Sequence, residues 1–190
     1  MSRDLMYRKE IRDLVRDAYT AIDVPAAPAS RFYTPQDLAT IPEEARQWAM
    51  GVGNPVRHAG LSAGESVVDL GCGSGIDALL AANEVGVTGS VIGVDFLDSM
   101  VQRSRRIAAN SGHETVGFIR ADIDDLPLDD AGTDVVISNG AINLAARKSR
   151  VFAEARRILR PEGRLCVSDL TINQEELPTE VLVHPSAWAG

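Results

Sequence analysis

Apolar and polar positions change their period about one third of the way along this chain. Leu5, Met6, Ile11, Leu14, Val15, Ala18 and Tyr19 recur mostly at helical spacing through a charged segment, which predicts an amphipathic N-terminal helix with these residues inward. IDVPAAPASRFYTP follows, a Pro- and Ala-rich linker or lid loop. Thr34 caps a short helix with Pro35 in its first turn, and another helix starts after Pro42 on Glu43 and Glu44. GVGNP, Gly51 to Pro55, is a turn-rich joint.

From Ser66 apolar strands alternate with helical patterns, the signature of a parallel sheet covered on both faces. Strands are predicted at 66–70, Ser90–Asp95, near Thr115–Arg120, Asp134–Ser138 and Arg164–Asp169, the last after a Pro161-Glu162-Gly163 turn. Between them, one helix turns Met100, Val101, Ile107 and Ala108 inward. A second turns in Val151, Phe152, Ala155, Ile158 and Leu159, and a last short helix is placed at Gln174–Leu182. The fold class is α/β, a Rossmann-like, doubly wound, mostly parallel sheet. Residues 1–54 form a helical N-terminal lid and residues 55–190 a core whose pattern stops after five strands.

The organising stretch is SVVDLGCGSGIDALLAA, a buried strand, a glycine turn and a helix. Glycine suits a sharp turn that a ligand must approach closely. A dinucleotide fingerprint would require glycine where the chain has Ile76, so a nicotinamide-dependent oxidoreductase is disfavoured. Asp69 ends strand one, and Gly71, Cys72, Gly73 and Gly75 form the floor, whose exposed N–H groups could take a carboxylate. The alternative is a structural βα turn. Asp95, about twenty residues past Gly75 and followed by Phe96, suits a ribose diol; the alternative is a turn acid, with Asp98 nearby to cap the next helix. In ADIDDLP, Asp122 could accept from an exocyclic adenine amine and the Ile123 N–H could donate to a ring nitrogen, or the segment is a solvated acidic loop. Ser138-Asn139-Gly140 places carbonyls near a reacting centre and makes Asn139 a substrate contact, or forms a simple Asn-Gly turn.

Composition narrows the classes. Lys plus Arg number 19 against 27 for Asp plus Glu, a net charge of −8, which argues against nucleic acid or an anionic membrane as partner. The two cysteines, Cys72 and Cys166, have no metal-ligand spacing, so no metal site is predicted and a reducing cytoplasm is the default. No signal peptide or membrane span is evident. His58, His113 and His184 read as surface or turn residues. Met100 and Trp48 fall at core spacing, with Met100 also able to line an adenine pocket. The basic run from Arg147 to Arg164 reads as a solvated helix face.

VVDLGCGSG, VIGVD, ADIDDLP and RRILRPEGRL, in this order, resemble the successive motifs of class I S-adenosylmethionine-dependent methyltransferases. FYTPQDL, IPEEA, GVGNPV, ISNGAINL and the helix ending RRIL are similar to the arsenite methyltransferase branch. The resemblance implies S-adenosylmethionine as cofactor and S-adenosylhomocysteine as product, with Tyr33 and Asn54 in loops that help close over it. Tyr33 is the one lid residue worth testing as a general base.

The chain departs from that branch in two ways. The family's thiolates, suited to soft As(III), are replaced by Ala29-Ser30-Arg31-Phe32, by Gly140 and by Ser186-Ala187-Trp188. A small organic acceptor with an O, N, C or S nucleophile, in secondary metabolism, is expected instead of arsenite. The family's last strands have no counterpart, so strand five is expected to expose an edge with Leu165 and Val167 partly uncovered, to be covered in a homo- or hetero-oligomer. The alternative function is a non-catalytic subunit that completes or activates a partner methyltransferase.

Overall fold

A computed structural model describes residues 3–22 and 31–171, with side chains from residue 9 onward. The helix predicted at 174–182, His184, the 186–188 segment and Ala29–Ser30 lie outside the described residues.

The sheet is built on β1 (Ser66–Leu70), flanked by β2 (Ser90–Asp95) and β4 (Thr133–Asn139), with β3 (Val116–Arg120) and β5 (Leu159–Ser168) at the edges. The order is β3-β2-β1-β4-β5 and every pairing is parallel. Alternation along β1 separates two cores. Val67 packs with the inner faces of α5 (Ile76–Val85) and α6 (Asp98–Asn110), while Val68 and Leu70 pack with Val151, Ala155 and Ile158 of α7 (Lys148–Ile158). The first layer also takes in Tyr33, Ile41, Ala45 and Ala49, contributed by the segment around α2 (Pro35–Ala39) and α3 (Glu43–Gln47).

Local chemistry explains the short elements. Thr34 and Asp37 form a reciprocal capping box on α2. Asn54 caps α4 (Pro55–Ala59), a helix the turn-rich joint did not predict, and Gly60 ends it in the left-handed region at φ +59°. On α1 (Arg3–Thr20), Val15 is buried, but Leu14 is 45% exposed: it lies a step round the helix from the buried face. Phe152 of α7 is likewise 47% exposed, on the side away from Val151 and Ala155. Asp98 does not cap α6, because the N-cap position falls on Leu97 and Asp95 supplies the acceptor.

β5 begins earlier than the Pro-Glu-Gly turn suggested. Leu159 already pairs with Thr133, and a register shift absorbs Arg160 to Gly163, with Glu162 at φ +67°, before Arg164 pairs with Val135. Part of the basic run is committed to ion pairs. Arg157 donates to the carbonyls of Leu126 and Leu128 and pairs with Glu154 and Asp130, so it pins the 126–130 loop to α7. Arg164 holds Glu65 with two bonds of 2.7 Å.

Candidate cofactor and methyl-transfer cleft

In an open parallel sheet the ligand site lies beyond the C-terminal strand ends, where the strand order reverses. Here that point falls between β1 and β4, and a cleft opens there. It takes in the glycine turn after β1, the ends of β2 and β3, and the loop after β4.

The glycine turn is held by its own hydrogen bonds. Gly71 and Cys72 donate to the Val94 carbonyl at 2.8 and 3.0 Å, Gly75 to the Cys72 carbonyl, and Gly73 to Asp95 Oδ2 at 3.0 Å. These four amides are therefore not exposed donors for a ligand carboxylate, contrary to the sequence reading. Glycine is required at 71 on two counts: φ is +76°, and a Cβ would lie 2.2 Å from Ala141 Cβ. At Gly73 a Cβ would stand in open space on the cleft wall, so the missing side chain leaves room for a ligand.

Asp95 ends β2 with Oδ1 accepting from the Leu97 N–H and Oδ2 from Gly73. It is both a turn acid and a cleft residue, since the backbone donors do not fill the roughly four lone pairs of a carboxylate. Burial raises its pKa above the usual carboxylate value, against the pull of its backbone donors. Phe96, Met100, Asp122 and Ile123 line the same rim. Three residues of α1, Arg12, Val15 and Tyr19, cover it. Arg12 pairs with Asp122 at 3.0 Å, and its guanidinium lies 5.9 Å from the centre of the Phe96 ring. Burial, then Asp95 and Asp169, push the Tyr19 phenol up.

Asp69, Gly75, Ser138, Tyr33 and Asn54 do not line the cleft. Asp69 sits a layer below, 1% exposed, with Oδ2 lacking a hydrogen-bond partner. Burial, and then the carboxylates of Asp77 and Asp95, raise it well above the usual range. Ser138 donates to the Leu70 carbonyl and ties β4 to β1. Asn54 caps α4 and donates to Asp37.

Tyr33 is not placed as a base. Its hydroxyl donates to Asp77 Oδ1 at 3.0 Å, and burial and that carboxylate hold the phenol far above the tyrosine range. Nor is Asn139 free for a substrate. Its Oδ1 accepts from the Val52 and Gly53 N–H groups at 2.8 and 3.1 Å, and its Nδ2 reaches Tyr33, the Gly53 carbonyl and Asp77 Oδ2. Sequence reasoning missed Asp77, although its place in the first turn of α5, just after the glycines, was the available signal. Trp48, expected in the core, stands on the cleft wall with the Arg103 guanidinium 3.5 Å from its ring centre.

Beyond β4 the wall turns apolar: Ala141, Leu144, Ala145 and Ala146, with Met50. Cys72 also reaches the cleft, but burial pushes its thiol well above the usual value. The Cys166 thiol lies elsewhere, donating to the Pro55 carbonyl.

The family profile described as a methyltransferase domain matches residues 61–189. The chain belongs to the class I methyltransferase family. The methyltransferase domain is 40% identical over 158 residues to an arsenite methyltransferase of Halobacterium salinarum, covering 83% of this chain and 40% of that protein. It is 31% identical to a 2-phytyl-1,4-beta-naphthoquinone methyltransferase of Arabidopsis thaliana, over 65% of this chain and 49% of that one. Among solved structures, an arsenic(III) S-adenosylmethionine methyltransferase from Chlamydomonas reinhardtii superposes with a TM-score of 0.70 at 37% identity, covering 80% of this chain and 53% of that one. The domain thus spans about half or less of the length of these relatives. Among the described residues, no helix is long and apolar enough to cross a membrane.

Proposed function

We propose that this chain is the cofactor-binding part of an S-adenosylmethionine-dependent methyltransferase acting on an apolar small organic molecule. The carrying observation is Asp95, a carboxylate at the end of β2 that closes the glycine turn and also lines the cleft. The cleft suits the cofactor in two further respects. Gly73 leaves a cradle that a Cβ would fill. The floor and the layer beneath it hold three buried carboxylates, Asp69, Asp77 and Asp95, and the first has an unpaired oxygen, an environment that favours a cationic ligand.

When bound, S-adenosylmethionine supplies a methyl already activated by its positive sulfur. The protein's part is then alignment and exclusion of water. Asp95 would hold the ribose hydroxyls, Asp122 and the Ile123 N–H the base, and the α1 face around Val15 would keep water out. The apolar wall at Ala141–Ala146 would take the acceptor. Because Gly140 stands where the arsenite branch has cysteine and the only thiol in the cleft is a buried, neutral Cys72, an organic acceptor fits better than arsenite. β5, with Val167 38% exposed at the sheet edge, is where we place a second subunit. A monodisperse monomer at micromolar concentration would refute that placement.

Calorimetric titration with S-adenosylhomocysteine tests the cofactor reading. One-to-one binding is expected for the purified chain, and a folded chain that takes up none would instead support the non-catalytic subunit.

A further inference from the structure

We infer that Asp77 is the positioning residue of this cleft: its ionised carboxylate, through Asn139 and Tyr33, fixes the Gly51–Gly53 joint against the end of β4 and makes cofactor capture possible. The inference rests on the cofactor reading above.

Asp77 is 5% exposed and belongs to the first turn of α5. Each of its oxygens meets a donor from a different segment: Tyr33 at 3.0 Å, from the residues preceding α2, and Asn139 at 3.0 Å, from the end of β4. Asn139 in turn binds the Val52 and Gly53 amides and the Gly53 carbonyl. The joint is pressed so closely on this amide that a Cβ at Gly51 would lie 2.2 Å from Asn139 Nδ2. Three stretches distant in sequence, the residues before α2, the end of β4 and, through Asn139, the joint, are therefore tied to one carboxylate of α5, and Gly51, Asp77 and Asn139 all line the cleft.

A carboxylate is costly here unless its charge is used. Among the described residues no lysine or arginine side chain bonds to it, and the charged group facing it from β1 is another acid, Asp69, itself next to Asp95 of β2. Tyr33 faces it from the lid segment, and β4 contributes only the neutral Asn139. The Asn139 amide nitrogen can only donate, and the Tyr33 hydroxyl, which already accepts from Asn139, donates to Asp77. A protonated carboxyl would therefore either lose the Asn139 bond or reverse the Tyr33 bond and leave that phenol without its acceptor. Burial pushes Asp77 up to about 6, against the hydrogen bonds from Asn139 and Tyr33. The clip is therefore complete above that pH and opens as pH falls through it.

The experiment is calorimetric binding of S-adenosylhomocysteine to the full chain between pH 5.0 and 8.0. Affinity is expected to fall about tenfold from pH 7.5 to 5.0, the loss for a group titrating near 6 that must be ionised. Asp77→Asn should bind weakly and without the tenfold fall, Asp69 and Asp95, also raised by burial, leaving at most a smaller one. Tyr33→Phe removes one donor to the carboxylate, so its midpoint should move to higher pH; it provides a second reading if Asp77→Asn does not fold. Wild-type affinity that is flat with pH, a tenfold fall that survives in Asp77→Asn, or an unmoved midpoint in Tyr33→Phe overturns the inference and leaves the cofactor reading standing. A chain that binds no S-adenosylhomocysteine at any pH overturns both.

Discussion

The β2–β3 rim and the β4 rim face each other across the glycine turn, and they are built by different means. The first presents carboxylates from strand ends, Asp95 and Asp122, each within a short local motif. The second presents alanines and Leu144, backed by a clip that draws Tyr33, Val52, Gly53 and Asp77 from distant parts of the chain. On the proposed reading the first rim would recognise hydroxyls and amines by hydrogen bonding, and the second would exclude water and take apolar surface. The sharpest way to break it is Asp95→Ala. Two charge-assisted hydrogen bonds lost, at about 1.5 kcal/mol each, predict at least a ~100-fold loss of S-adenosylhomocysteine affinity by calorimetry. A loss under about tenfold would mean that the β2 end does not carry recognition.

The opposite rim should respond through stability first. Asn139→Ala strands the Val52 and Gly53 amides, which are only partly buried, so a cost of about 2 kcal/mol is expected. For a chain of this length that lowers the melting temperature by roughly 4–8 °C. Affinity for S-adenosylhomocysteine should fall about tenfold, less than for Asp95→Ala, because the clip shapes the cleft without recognising the nucleoside.

The same contrast decides how much of the molecule could be read from its residues. β1, β2 and the glycine turn are legible because apolar runs, glycines and a terminal acid lie within a few residues of each other, and β2 falls at Ser90–Asp95 as its pattern predicts. The clip is not legible, because its meaning lies in contacts spanning up to 106 positions, Asn139 to Tyr33. Sequence reasoning could find both residues, yet it offered one as a base to test and the other as a substrate contact or a simple turn. Each misreading came from treating a polar side chain near a cleft as free, when burial had already forced it to find partners. Leu14 and Phe152 teach the complementary point: an apolar residue one step off a helical stripe points to solvent.

Leu144→Asp sharpens the comparison from the apolar side. A charge placed on that wall should leave S-adenosylhomocysteine affinity within about threefold while weakening a small apolar organic probe by at least roughly tenfold, the cost of desolvating a carboxylate against apolar surface. Equal losses for both ligands would show that the β4 rim serves the cofactor too.

The smallest effect belongs to Arg12, which joins α1 to the β2–β3 rim through Asp122. The pair looks like a latch at 3.0 Å, but its side chains are 43% and 23% exposed, and exposed ion pairs contribute about 0–1 kcal/mol. Val15, 7% exposed on the same helix face, holds α1 by apolar burial, which does not weaken in salt. Arg12→Ala should therefore change S-adenosylhomocysteine affinity by less than about threefold, and raising salt from 0.05 to 0.5 M (about 14 to 4 Å in Debye length) should change the wild type as little. Val15→Asp should cost more than Arg12→Ala, by removing apolar contact and setting a buried charge over a cleft that already holds acids. If Arg12→Ala instead shifts affinity more than tenfold, in either direction, α1 is held electrostatically, and the rim that recognises the nucleoside is also the rim that admits it.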